Sequence, residues 1–281
     1  MTATTDILAK WAFEIDCADV EVERGTADNV PQAIHDLAAE LRALREKLAL
    51  QKPDATLGQV VREGGAAEVS KARPKLLDLF SGAGGAGMGY HRAGFDVVGV
   101  DNRPQRHYPF EFHQADALEY LAEHGREFDV VHASPPCQRY CRLTPPSRRD
   151  MHPDLLPAVA EILRGLGKPY IIENIPDAKT LLREPFMLCG TMFGLPIWRH
   201  RFFEGNCLGM VMLPPCNHSG IPILVSGTTR RKGYARRDTT VALRRAAMGI
   251  EWMTTEELDQ AIPLAYTEWI GRQILQMGNL T

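Results

Sequence analysis

The chain has 281 residues, an apolar share of 44% and a formal net charge of −3. This composition suits a soluble globular protein that can bury a real core. No run of about 18 apolar residues is present, which excludes a transmembrane helix and leaves no membrane partner. The N-terminus carries acidic residues where a signal peptide needs an apolar core, so a cytoplasmic protein is expected. Six cysteines (17, 137, 141, 189, 207 and 216) are scattered through a chain too large to need staples, which fits a reducing compartment better than a disulfide framework. The charge is uneven. Residues 1–70 hold 13 acidic and 7 basic side chains, a balance of −6; residues 71–281 hold 22 and 25, a balance of +3. A mildly basic body permits a nucleic-acid partner without requiring one.

Residues 1–70 read as an N-terminal extension with one clear element, a helix over 31–51. Ile34, Leu37, Leu41, Leu44 and Leu48 step by three and four. Asn29 is a plausible N-cap, and Pro31 suits a first turn. The stripe is short for a free coiled coil, so the helix reads as one docked on the body. A monomer is expected, with this helix the surface through which copies can self-associate. Residues 52–74, with Pro, Gly-Gly and mixed charge, read as a linker.

From Lys75 the texture changes. The apolar runs KLLDLF (75–80), FDVVGV (95–100), FDVVHA (128–133) and PYIIEN (169–174) alternate with helical patterns over 84–93, 115–123 and 153–166. Uninterrupted apolar strands alternating with helices predict a doubly wound, Rossmann-like α/β fold, its parallel sheet covered on both faces. Such sheets bind ligands at the carboxyl ends of their strands. A loop-rich basic insert (202–240) and a helical finish (241–281) follow.

The first strand runs into DLFSGAGGAGMGY, where Gly82, Gly84 and Gly85 lie on the strand-to-helix turn. Their missing Cβ atoms allow a tight turn and close approach of a ligand. The second strand ends in Asp101, 19 residues after Gly82, where a carboxylate can accept from both ribose hydroxyls of a nucleoside. Asp116 follows a third short strand and can accept from an adenine amino group. The plain alternative is that both aspartates cap helices.

The fourth strand runs into Ser134-Pro135-Pro136-Cys137-Gln138. Two prolines stiffen the loop and present Cys137 at a strand end. A thiolate there is a strong nucleophile if positive charge lowers its pKa, which Arg139 and Arg142 are placed to do. The fifth strand ends in Glu173-Asn174, where partial desolvation should raise the carboxyl's pKa and make it a proton donor near neutrality. Arg199 and Arg201, on a predicted strand WRHRFFE, share one face by alternation and can hold Glu173, a substrate carbonyl or a phosphate.

These motifs, in this order, resemble the DNA cytosine-5 methyltransferase family in its compact phage or bacterial form. DLFSGAGG is similar to its cofactor motif, Pro-Pro-Cys-Gln to its catalytic loop, Glu-Asn-Ile to its Glu-Asn-Val motif, and Arg199-x-Arg201 to its Arg-x-Arg motif. The resemblance spans residues 75–204, implied to be the catalytic domain binding S-adenosylmethionine. The helices of 241–281 complete that domain and are similar to the ending of phage-type members. It implies that Phe80 stacks on the cofactor adenine, Asp101 binds its ribose, and Asp116, with Asn102 nearby, reads the adenine; Gly82, Gly84, Gly85 and Pro136 complete that site. It implies that Cys137 attacks cytosine C6 of a flipped base in DNA while Glu173 bonds N3, with Arg201 and Arg199 steadying the nucleotide. Gln138 falls among the expected DNA contacts.

Four departures stand out. Ala133 and Ser134 occupy positions where the family usually has glycine. Ile197 replaces a glutamine before the arginine pair, and the Gly-Asn-Ser/Ala-Val element near the family's C-terminus is absent, Ala261–Tyr266 being its counterpart. Only residues 202–240 lie where a target-recognition domain belongs. That insert contains Arg230, Arg231, Lys232, Arg236 and Arg237 around Tyr234, a composition suited to phosphate contact. Cys207, Cys216 and His218, with Cys189, have metal-binding side chains, but the spacing lacks paired C-x-x-C knuckles and no metal is assigned. An RNA cytosine methyltransferase and an inactive DNA-binding homologue stay open as alternatives. The G-x-G-G spacing argues against a dehydrogenase.

Overall fold

The computed structural model describes residues 72–208, 213–225 and 240–277. The predicted 31–51 helix and the basic cluster Arg230, Arg231, Lys232, Arg236 and Arg237 lie outside the described residues.

A seven-stranded sheet organises the body: β1 (Lys75–Leu79), β2 (Asp96–Asp101), β3 (Glu111–Gln114), β4 (Val130–Ala133), β5 (Tyr170–Asn174), β6 (Phe186–Leu188) and β7 (Arg201–Gly205). The spatial order is β3-β2-β1-β4-β5-β7-β6. The first five strands are parallel, as the apolar runs require. β7 pairs antiparallel with both β5 and β6, so the sheet is mixed and not wholly parallel. The strand order reverses between β1 and β4, which opens a crevice at their carboxyl ends.

Alternation along the strands divides the core. Leu77, Leu79, Val100, Val131 and Ile172 pack beneath α2 (Ala117–His124) and α4 (Leu156–Gly165). Leu76, Val97, Val130, Ile171 and Phe203 face α1 (Gly85–Ala93) and α7 (Leu264–Gln276). Each fully buried Leu, Ile or Phe contributes about 1.5–3 kcal/mol. Short α3 (Pro146–Arg149), α5 (Val241–Met248) and α6 (Thr255–Gln260) complete the described helices. Thr254 and Glu257 form a reciprocal capping box at α6, which sets where that helix starts.

The C-terminal helix docks on the first one. A Cβ at Gly89 of α1 would collide with Thr267 Oγ1 and the Leu264 carbonyl, and one at Gly271 of α7 would lie 2.7 Å from Ala93 Cβ. Small residues on both helices therefore let them approach closely. Thr267 donates from its buried hydroxyl to the Ala86 carbonyl at 2.9 Å and locks the register.

Three sequence expectations change. The predicted strand WRHRFFE begins only at Arg201, so Arg199 stands before β7 and the alternation argument does not apply to it. Residues 202–205 belong to the central sheet, so the insert starts after them. The predicted 153–166 helix begins at Leu156, because Asp154 is drawn off to the Tyr140 hydroxyl and Arg139.

Candidate active site

The glycine-rich turn after β1 is held from two sides. Ser81 N–H donates to the Val100 carbonyl at 3.1 Å, and Gly82 N–H donates to Asp101 Oδ2 at 3.1 Å. Asp101 also accepts from Arg103 N–H on Oδ1 at 2.9 Å. The aspartate at the end of β2 is thus a brace for the turn. Each of its oxygens keeps a second lone pair for a ligand hydroxyl. The three glycines differ in what they face. A Cβ at Gly84 would lie 2.7 Å from Pro109, and one at Gly85 would lie 2.8 Å from the Ile262 carbonyl. Gly82, at φ +49°, has nothing within 4 Å of that position. Gly84 and Gly85 are packing glycines; Gly82 opens onto the crevice. Phe80 enters the turn at φ 57°, a left-handed conformation that few non-glycine residues adopt.

Asp116 caps α2, accepting from Leu118 N–H at 2.8 Å and Glu119 N–H at 3.1 Å, both on Oδ1. The capping alternative is realised, while Oδ2 is not consumed by it. Asn102 is exposed at the end of β2, its carbonyl accepting from Gln114.

The Pro-Pro-Cys loop leaves β4 tied to both neighbouring strands. Ser134 N–H donates to the Leu79 carbonyl at 3.2 Å, and Asn174 Nδ2 donates to the Pro135 carbonyl at 3.0 Å. The Cys137 carbonyl then accepts from Tyr140 and Cys141 N–H groups, closing a turn. Pro136 and Cys137 are half-buried and Gln138 is exposed. The thiol is not activated in the way expected. Arg139 reaches Asp150 at 3.2 Å and Asp154 at 3.4 Å, and Arg142 is clamped on Asp177. Burial, then the nearby Glu173 carboxylate, push the Cys137 thiol up, with Arg201 opposing them.

Glu173, near the end of β5, is buried. Desolvation raises its pKa, opposed by Arg201, the nearby Ser134 hydroxyl, and Arg199. Arg201 Nε stands 2.8 Å from Glu173 Oε1 as an ion pair, yet that oxygen makes no hydrogen bond among the described residues. Arg199 acts differently. Its guanidinium is buried and donates to the Asp259 carbonyl at 2.6 Å, its own carbonyl accepts from Tyr266, and burial lowers its pKa to about 9. The two arginines are therefore not a matched pair: Arg201 faces the carboxylate and Arg199 anchors α6 and α7.

Sequence reading missed a buried polar row behind this site. The Tyr90 hydroxyl lies 3.0 Å from His132 Nδ1, and His132 Nε2 lies 2.9 Å from Ser134 Oγ. Burial holds His132 neutral, its pKa lowered to about 3. Asp78, opposite His132 in the β1–β4 register, is also buried; desolvation raises its pKa to about 8 despite a hydrogen bond from Tyr108 at 3.3 Å. Polar residues at inward positions of otherwise apolar strands were the available signal. A cavity of about 670 Å³ adjoins the site, with Cys141, Ile175, Trp198, Arg199, Arg201 and Val225 in its walls. Cys207 is remote from any such cluster; it donates to the Tyr170 carbonyl at 3.7 Å, and burial pushes its thiol up to about 12.

The fold is Rossmann-like, and its crevice joins a glycine-rich turn to a cysteine, a buried carboxyl and an arginine. No family model matches the chain. Over 73 residues, 24% of this chain and 21% of the relative, it is 33% identical to the Type II methyltransferase M.FnuDI of Fusobacterium nucleatum. Over 120 residues, 37% of this chain and 28% of the relative, it is 28% identical to the Type II methyltransferase M.XorII of Xanthomonas oryzae pv. oryzae. The chain thus matches about a fifth to a quarter of the length of these curated relatives. Among solved structures it is similar to the Entamoeba histolytica methyltransferase EhMeth, with 12% identity, 73% of this chain and 98% of that chain covered, and a TM-score of 0.49. No described helix is long and apolar enough to cross a membrane.

Proposed function

We propose that the chain is a methyltransferase that uses S-adenosylmethionine to methylate carbon 5 of cytosine in DNA, with Cys137 as nucleophile. The observation that carries this reading is convergence. The Cys137 loop, Glu173 and Arg201 come from β4, β5 and β7; Asn174, next to Glu173, bonds the loop at the Pro135 carbonyl at 3.0 Å, and Arg201 lies 2.8 Å from Glu173. The partial likeness to two Type II methyltransferases supports it.

S-adenosylmethionine fits the residues at the first strand ends. Gly82 leaves space where a side chain would stand, and the Asp101 and Asp116 carboxylates occupy the ends of β2 and β3. When bound, the cofactor supplies an electrophilic methyl group. Gly82 admits it, Phe80 offers a ring face, Asp101 and Asp116 offer acceptors, and Asn102 and Pro136 flank them; Gly84 and Gly85 hold the turn's packing.

Cys137, as the thiolate, adds to C6 of the ring, and Glu173 holds a proton against N3 so that the electron pair gains a resting place. Carbon 5 becomes nucleophilic as a result. After methyl transfer a base removes the C5 proton, and the electrons of that bond expel the Cys137 thiolate. Buried Glu173 is the proton carrier this scheme uses, and Arg201, 2.8 Å from its Oε1, holds that carboxyl in place. Arg199 positions Arg201 through its anchorage to α6. The adjoining cavity gives a base drawn out of the duplex a place to enter. Gln138, exposed on the catalytic loop, and the basic residues of the insert are the proposed DNA contacts. Residues 75–204 with 241–281 form the proposed catalytic domain, and the remainder of 202–240 a short recognition element.

The test is transfer of labelled methyl from S-adenosylmethionine to cytosine-containing DNA, with Cys137→Ser beside the wild type. Label at C5 that disappears in the variant is the expected result. Cofactor binding without label on any DNA would reject the proposal, and label on RNA alone would redirect it to an RNA substrate.

A further inference from the structure

Four side chains outside the proposed chemistry converge beside β7. Cys189 follows β6 and is fully buried, His200 precedes β7, and Cys216 and His218 lie on the extended segment 213–225. Their donor atoms all lie within 4.8 Å of one another. Cys189 Sγ is 3.5 Å from His218 Nε2, and Cys216 Sγ is 3.8 Å from His200 Nε2. Tetrahedral zinc, with bonds of about 2.3 Å to sulfur and about 2.0–2.1 Å to nitrogen, sets adjacent sulfur and nitrogen ligands roughly 3.5 Å apart. Both sulfur–nitrogen pairs are near that spacing before any ion is added.

The surroundings fit a metal. Thr191 donates its hydroxyl to Cys189 Sγ at 3.3 Å and accepts from Asn217 N–H at 3.1 Å, the outer bonding that steadies a ligating thiolate. The Trp198 ring stacks on His218 with centroids 4.6 Å apart, fixing that imidazole's plane. Two sulfurs and two imidazoles without a carboxylate favour zinc over magnesium or calcium. Segment 213–225 has no helix or strand of its own, and its main chain reaches the body through Ile223 N–H to the Pro196 carbonyl and Asn217 N–H to the Thr191 hydroxyl. A segment so lightly held gains most from a metal staple.

We propose that Cys189, His200, Cys216 and His218 form a closed structural zinc site. Four protein ligands leave no open position for a substrate, so the ion holds structure and performs no chemistry. It ties segment 213–225, which supplies Ile223, Val225 and His218 to the cavity wall, to the turn that launches Arg201. This inference is independent of the reaction proposed above. Spacing alone hid the site, because His200 reads as part of the Arg199-His200-Arg201 strand and Cys207, nearer in sequence to Cys216, takes no part.

The test measures metal in the purified full chain by mass spectrometry, with Cys216→Ser and Cys207→Ser as variants. One equivalent of zinc per chain is expected in the wild type and in Cys207→Ser, and background zinc in Cys216→Ser. Protein grown on cobalt supplies a second readout that needs no variant: a thiolate-to-cobalt charge-transfer band with the strong visible absorption of tetrahedral cobalt. Zinc-free wild type, zinc retained in Cys216→Ser, or cobalt protein lacking the thiolate band would each overturn the proposal. A Cys189–Cys216 disulfide found in the zinc-free protein would also do so.

Discussion

The imidazole of His132 meets the hydroxyl of Ser134 across 2.9 Å inside the sheet, and Ser134 stands close enough to Glu173 to oppose the rise of its pKa. Tyr90 keeps its proton because burial raises its pKa, so it donates to His132 Nδ1, and the neutral ring donates from Nε2. The row points hydrogen-bond donors at the Glu173 carboxylate. Ser134 stands where the family that this sequence resembles usually has glycine, so the departure places a donor beside the proposed catalytic carboxyl.

Ser134→Ala should therefore move the pH dependence of methyl transfer. The Cys137–Glu173 pair that reacts holds one proton, resting as thiol and carboxylate and reacting as thiolate and carboxyl. Uptake of a second proton defines the acid limb. A hydrogen bond to an ionised carboxylate is worth about 1.5–3 kcal/mol, and its loss disfavours the charged form. The acid limb of the rate profile shifts to higher pH in the variant, and Ser134→Thr restores it. An unmoved limb would show that the serine does not bond Glu173 in the working protein.

Gly82→Ala and Gly84→Ala should separate binding from packing. At Gly82 a methyl meets no protein atom, so the stability cost is the backbone strain of a positive φ, about 1 kcal/mol, while cofactor affinity drops. At Gly84 the methyl is pressed against Pro109 and Tyr108, and overpacking adds about 1–3 kcal/mol. Cofactor titration by calorimetry beside thermal melts checks both. Equal losses of affinity at equal losses of Tm would contradict the division.

Stability should fall with rising pH because of Asp78. Its pKa is raised from 3.8 to about 8 by desolvation, so between those values the folded state binds more protons than the unfolded. The protonated carboxyl's contribution is complete below 3.8 and lost as pH climbs through about 8. Asp78→Asn, which keeps a neutral side chain of similar shape, should flatten that slope and leave a Tm above wild type at pH 8. His132 acts at the other end: lowered from 6.5 to about 3, it removes stability as pH falls through that interval. Melts from pH 3 to 9 resolve the two, and a slope unchanged in Asp78→Asn would contradict the assignment.

Glu204→Gln should destabilise without altering the chemistry. Glu204 is 2% exposed and takes Arg164 through both oxygens, at 2.7 and 2.6 Å, besides the Tyr170 hydroxyl and Arg183 N–H. Breaking a buried pair costs about 3–5 kcal/mol, and the partial exposure of Arg164 brings the expectation to the lower end. Denaturant melts should show that loss while methyl-transfer rates in the folded fraction stay level.

Much of the fold was legible because four of the first five strands are local apolar runs. KLLDL, DVVGVD, VVHA and YIIEN carry their own hydrophobicity and flanking turns, so the parallel core, its crevice and the strand-end placement of Asp101, Cys137 and Glu173 followed from chain order. Position within a run says where a side chain sits along the sheet. It does not say which partner reaches it. Tertiary structure alone decided that Arg139 and Arg142 spend their charge on Asp150, Asp154 and Asp177, that Arg199 anchors α6 while Arg201 faces Glu173, and that Gly84 and Gly85 serve packing. It also decided the cluster of Cys189, His200, Cys216 and His218, which the fold gathers from both sides of β7. Hydrophobic pattern is a local property that survives reading one residue at a time; charge pairing and ligand geometry depend on distances set when the sheet closes and distant segments fold back on it.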